Sequence, residues 1–145
     1  MAVAAKKRGW DSKIAVLVGD GEINEGSVWE AAMMAPKLQS NNLICLVDYN
    51  KWQATGRTRD IMAVEPLRLK WEAFGWHVVE VDGHDIVKIV EEAKNSLRKS
   101  QPSLLILNTI KGKGISFMED DNNWHYIVPS SEQVAMARKE LCSEI

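Results

Sequence analysis

Asp20 and Asn50 are the residues from which a chemical role can be built. Asp20 stands in Gly19-Asp20-Gly21-Glu22, directly after the apolar run Ile14 to Val18, and Asn50 follows a second run that begins at Leu43. If the two runs are adjacent parallel strands, two oxygen ligands leave their carboxyl ends side by side, where open α/β sheets bind ligands. A hard divalent cation suits such a pair, because Mg2+ commonly combines one or two protein groups with phosphate oxygens. A diphosphate alone would be repelled by Asp20, and a cation between them removes the conflict. Gly19 and Gly21 permit a tight turn and close approach of the main chain to an anion, with N–H groups leading into the next helix pointing toward it.

The elements that must position this pair can be read from the apolar pattern. Segments 14–18, 43–48, 76–81 and 104–107 read as strands, three of them continuous enough to be buried on both faces. Helices are predicted near 27–39, 66–74 and 85–99, so strands and helices alternate and the fold class is α/β, a doubly wound parallel sheet with helices on both faces. Ser27-Val28-Trp29-Glu30 has the spacing of a capping box, and Pro36 should kink or end the first of these helices early. The stretch from Tyr49 to Glu65 has no apolar periodicity, and a loop of that length beside Asn50 points to function. Met1 to Arg8 reads as the last turns of a helix. Four strands are few for a doubly wound sheet, so residues 1–145 are expected to form a single, partial domain that lacks part of its upstream side.

Composition narrows the function classes. Lys and Arg total 18 against 20 Asp and Glu, so the basic footprint of a nucleic-acid binder is missing. The two cysteines, Cys45 and Cys142, give neither a disulfide framework nor metal-ligand spacing. No apolar stretch approaches the roughly 20 residues of a spanning helix. A soluble, cytoplasmic protein without membrane contact is the expectation.

Gly19-Asp20-Gly21, the intervening residues and Asn50 resemble the thiamine-diphosphate fingerprint, and Gly19 to Ala32 resembles transketolases in particular. The resemblance continues through Val47 to Asn50, Trp71 to Trp76, Val81 to Asp85 and Lys111 to Gly114, and is strongest to the separate amino-terminal subunit of two-part transketolases. It implies an enzyme part that binds thiamine diphosphate and Mg2+ (or Ca2+ or Mn2+) and helps move a two-carbon ketol unit between sugar phosphates. By position, Asp20, Asn50 and the main-chain carbonyl of Trp52 match the metal ligands, and Gly19, Gly21, Glu22, Asn50 and Trp52 match the cofactor cradle. His125 matches a histidine near the reacting carbon, although Tyr126 follows it where the family usually has glycine. Glu25 matches a glutamate at the subunit interface, and Glu30 matches a neighbour for which helix capping is an equal explanation. The partner so implied is a pyrimidine-binding half or subunit, in a homo- or hetero-oligomer. The alpha subunit of a 2-oxo-acid dehydrogenase and a non-catalytic fragment with fold and partner contacts alone are the alternatives.

Other conspicuous residues read as structural. His77 alternates with apolar strand neighbours, and His84 sits in a turn where Asp85 can cap the next helix. Trp71 and Trp76 belong to a core. Glu25, Trp29 and Met33 share one side of their helix by i, i+4 spacing, and this apolar stripe beside a carboxylate suits a subunit contact.

Overall fold

The computed structural model describes residues 1–143. Its elements run α1 (Ala2–Lys7), β1 (Ile14–Gly19), a 3-10 turn (Glu22–Asn24), α2 (Gly26–Lys37), β2 (Leu43–Tyr49), β3 (Trp52–Gln53), β4 (Gly56–Arg57), α3 (Thr58–Ile61), α4 (Leu67–Ala73), β5 (His77–Asp82), α5 (Ile86–Ser96), β6 (Ser103–Asn108), a second 3-10 turn (Asn122–His125) and α6 (Ser131–Ser143). The main sheet has the order β1-β2-β6-β5 and is parallel throughout, so all four carboxyl ends lie on one edge of the layer. A separate antiparallel pair, β3-β4, follows β2.

Pattern and packing agree in the middle of the sheet. β6 is flanked on both sides, and Leu104, Leu105, Ile106 and Leu107 are all buried, as a continuous apolar run requires. On one face, Val18, Cys45, Val47, Val78, Leu104 and Ile106 pack against α2 and α4 through Ala32, Ala35, Leu67 and Trp71. On the other, Ile44, Val81, Leu105 and Leu107 pack against Ile89, Ala93 and Leu97 of α5 and its end. The run of β1 is apolar throughout, yet Ala15, Val16 and Leu17 are exposed, Leu17 by 68%, because β1 is an edge strand and α5 covers the far side of the sheet.

One local expectation resolves differently from the pattern. The helix α2 begins at Gly26 with Glu25 as its cap in extended geometry, and no side-chain bond caps it, so Ser27 lies inside the first turn and the box at Ser27–Glu30 does not form. The reciprocal box occurs instead at α6, where Ser130 Oγ accepts from the Gln133 N–H at 3.3 Å and Gln133 Oε1 accepts from the Ser130 N–H at 2.8 Å. Pro36 falls one residue before the end of α2. Its missing N–H would orphan the Ala32 carbonyl, and the buried Trp76 indole donates to that oxygen at 2.7 Å. Trp76 also meets Trp71 edge-on at 4.7 Å, so one aromatic pair closes the core and repairs the helix. The expected cap at Asp85 does form, its carboxylate accepting from the Lys88 N–H at 2.9 Å.

Candidate cofactor and cation site

The register places the candidate ligands at neighbouring strand ends. Gly19 pairs with Asp48, and the Asp20 N–H donates to the Asp48 carbonyl at 3.2 Å, so Asp20 leaves β1 level with the last residues of β2. Asn50 comes directly after β2. The chain then reverses at Lys51, whose φ of 69° is left-handed, and enters the β3-β4 hairpin.

Asp20 is 2% exposed. Its Oδ2 accepts from the Thr58 hydroxyl at 2.8 Å, and the N–H groups of Lys51 and Gly21 also donate to the carboxylate. Burial nevertheless pushes its pKa up, the Thr58, Lys51 and Gly21 bonds oppose that, and the neighbouring Asp48 charge adds to it. A buried carboxylate in this state gains from a cation more than an exposed one does. Asn50 is oriented by two bonds: its Nδ2 donates to Asp48 Oδ2 at 3.3 Å, and its Oδ1 accepts from the Trp52 N–H at 2.9 Å. The second lone pair of Oδ1 is left for another partner. Asp48 is itself held by the Thr109 hydroxyl from the end of β6.

A cavity of about 580 Å³ opens at these strand ends, lined among others by Asp48, Asn50, His84, Thr109, Lys111 and Lys113. A carboxylate, a carboxamide and two lysines in one lining are side chains that a divalent cation and a diphosphate could use. Among the described residues there is no group of three or more His, Cys, Asp or Glu side chains able to hold a metal. A cation here would draw on few protein side chains and on the anion's oxygens, which is the usual habit of Mg2+. A Cβ at Gly19 would meet nothing within 4 Å, and Gly21 has an ordinary φ of −70°. At Gly19 this leaves open space for a group to approach the main chain, whereas a Cβ at Gly21 would touch the Gln53 side chain at 3.6 Å.

None of the remaining predicted site residues lines this cavity. Glu22 begins the first 3-10 turn and Glu25 caps α2, both exposed, as is Glu30. Trp29 is half-buried against Trp71 and Phe74, with ring centroids 6.0 and 6.1 Å away, while Met33 is 51% exposed. Trp52 is half-buried in the hairpin. His125 ends the second 3-10 turn, exposed, with its ring edge-on to Tyr126 at 4.7 Å. Among the described residues no hydrogen bond joins His125 to Asp20, Asn50 or Glu25. His84 does more than turn the chain: its Nε2 accepts from the Ile110 N–H at 2.9 Å and so anchors the segment that carries Lys111.

Asp48, Thr58, Thr109 and Lys111 were given no site role from the sequence, although Asp48 and Lys111 lie in stretches that carry the family resemblance. Lys111 had a signal, a Lys-Gly-Lys-Gly string just past a strand. Thr58 had none, being 38 residues from the carboxylate it binds. The string is tightly closed, since a Cβ at Gly112, where φ is 73°, would lie 2.4 Å from the Met118 carbonyl oxygen.

Residues 4–144 match the family described as transketolase, thiamine diphosphate binding domain. The chain is 46% identical over 144 residues to an apulose-4-phosphate transketolase subunit from Actinobacillus succinogenes, covering 99% of this chain and 52% of that protein. It is 44% identical to a 6-deoxy-6-sulfo-D-fructose transketolase subunit from Clostridium, covering 99% of this chain and 53% of the relative. The crystal structure of transketolase from Campylobacter jejuni superposes with a TM-score of 0.91 at 28% identity, over 97% of this chain and 23% of that one. The chain thus spans about half the length of these two relatives. A parallel α/β layer with Asp20 and Asn50 at adjacent strand ends, and a family match along nearly its whole length, make this chain a member of the transketolase family, within its thiamine-diphosphate-binding domain.

Proposed function

We propose that this chain is the diphosphate- and cation-gripping part of a transketolase that transfers a two-carbon ketol unit between sugar phosphates, working with a pyrimidine-binding half or subunit. The observation that carries the reading is that buried Asp20 and Asn50 leave neighbouring parallel strands at the same edge of the sheet, where Asn50 and Lys111 line one cavity. Asp20, Asn50 and the Trp52 carbonyl would hold Mg2+ or a similar cation, and the Gly21 N–H and Lys111 would take diphosphate oxygens. Thiamine diphosphate, when bound, supplies the carbanion chemistry, and the protein supplies binding and orientation.

The protein's own contribution is placement. Thr58 and the Asp48–Thr109 pair fix the two candidate ligands before anything binds, so little reorganisation is needed. The exposed imidazole of His125 is read as a group that moves a proton near substrate, and Glu25 at the start of α2 is read as lying where a partner approaches. The α2 face with half-buried Trp29 and exposed Met33 is read as a contact with the partner. Residues 1–145 are read as one partial domain of a cytoplasmic oligomer; among the described residues no helix is long and apolar enough to cross a membrane.

The relatives' names favour ketol transfer over oxo-acid dehydrogenation. The test is to assemble the chain with a pyrimidine-binding transketolase half and supply thiamine diphosphate, Mg2+, a ketose phosphate and an aldose phosphate. Formation of a ketose two carbons longer than the acceptor is expected. With a 2-oxo acid and an artificial two-electron acceptor supplied instead, acceptor-coupled decarboxylation by the same assembly, in the absence of ketol transfer, would overturn the reading.

A further inference from the structure

The β3-β4 hairpin contains only the pairs Trp52–Arg57 and Gln53–Gly56, too little to hold itself in one place. It is nevertheless the segment that fixes Asn50, through the Trp52 N–H. Its outer side is fastened by one residue of a distant segment, Asp120. The Arg57 guanidinium forks onto the Asp120 carboxylate at 2.7 and 2.5 Å, and the Trp52 indole N–H donates to the same Oδ1 at 2.8 Å. The guanidinium also lies 3.7 Å over the Trp52 ring. Asp120 adopts φ of 56°, and its N–H donates to the Lys111 carbonyl at 2.8 Å. The chain beyond it continues the attachment: Asn122 Nδ2 donates to the Gln53 and Ala54 carbonyls at 3.0 and 3.1 Å, and the Tyr126 hydroxyl donates to the Ala54 carbonyl at 3.3 Å. His125 lies between those two anchors.

We propose that Asp120 is a positioning residue: it ties the Asn50–Trp52 turn to Lys111 and to the His125 segment, and so sets the geometry of the cation end of the site relative to the imidazole end. An isolated exposed ion pair contributes little. Here one carboxylate takes three N–H donors from two residues, in the bidentate geometry that makes Arg–carboxylate pairs directional, with the cation stacked on an indole. The Arg57 guanidinium and the Trp52 indole N–H together hold the Asp120 pKa below the ordinary aspartate value. Sequence alone hides this connection because the partners lie 63 and 68 residues apart.

The inference rests on the functional reading above, and its test separates the two. Asp120→Asn, Arg57→Lys and the double variant are compared with wild type by amide exchange of Trp52 and Lys111 and by the His125 imidazole proton shift, all without cofactor. Asp120→Asn should speed exchange at Trp52 and move the His125 signal, whereas Asp120→Glu should restore much of both. In the assembly with a pyrimidine-binding half, each single variant should lower Mg2+-dependent thiamine diphosphate affinity about tenfold, the scale of outer partners of metal ligands. The double variant should be no worse than the singles, since the two residues act as one unit. Changes confined to residues near 120, with Trp52 and His125 unmoved, would overturn the coupling. Full cofactor affinity in Asp120→Asn, or strictly additive losses, would overturn it as well. If the wild-type assembly binds no thiamine diphosphate, the functional reading fails, and the exchange measurements still decide the coupling.

Discussion

Asp20, the proposed cation ligand, is a carboxylate that the fold buries. Its carboxylate is buried beside Asp48, and burial raises its pKa despite the Thr58 hydroxyl. The folded chain therefore holds that proton more tightly than the unfolded chain does. In the absence of a cation, the contribution of Asp20 to stability is full below the ordinary aspartate pKa and is lost as pH rises through the raised folded value. Thermal melting in a chelator should show wild type losing ground to Asp20→Asn across that interval, and excess Mg2+ should return stability to wild type alone. A melting difference that is flat with pH would contradict the assignment. The position of Asp20 and Asn50 was legible because each ends an apolar run, and strand ends follow directly from such runs. Thr58, Thr109 and Asp120 were not legible, because their roles come from contacts across 38 to 68 residues that no local pattern encodes.

At the scale of elements, the apolar runs gave the four strands of the sheet and the helices between them, since buried parallel strands must be continuously apolar. The capping box did not transfer, because Ser27–Glu30 and Ser130–Gln133 both match the spacing and only the backbone entering the helix decides which is used. The hairpin after Asn50 was hidden inside a segment without periodicity, because two-residue strands have none to show. Helix α2 yields two tests. Trp76→Phe keeps the ring but leaves the Ala32 carbonyl, already deprived by Pro36, without a donor, and should cost about 1–3 kcal/mol in urea unfolding. A change under about 0.3 kcal/mol would show that the indole bond has no structural weight. Met33→Glu, on the exposed side of the same helix, should leave the melting point of the isolated chain within a degree or so of wild type, as surface changes usually do. It should weaken association with the pyrimidine-binding half in sedimentation, and unchanged association would remove this face from the interface.

Across the whole molecule, the four strand ends converge on one cavity, while β1 keeps an exposed apolar edge. Unpaired edges of this kind favour association. The reaction proposed for the family match also needs the far end of the cofactor held by a second half, so the isolated chain should show no ketol transfer above background with thiamine diphosphate and Mg2+ present. Turnover by the chain alone would contradict the two-half arrangement. Asp20 is proposed as the cation ligand that lets a diphosphate sit over the strand ends. Calorimetric titration of thiamine diphosphate into the assembly with a pyrimidine-binding half, with Mg2+ or with chelator, tests this most directly. Wild type should bind only when Mg2+ is present, and the Asp20→Ala assembly should bind in neither condition; binding by Asp20→Ala equal to wild type, or wild-type binding indifferent to Mg2+, would contradict it.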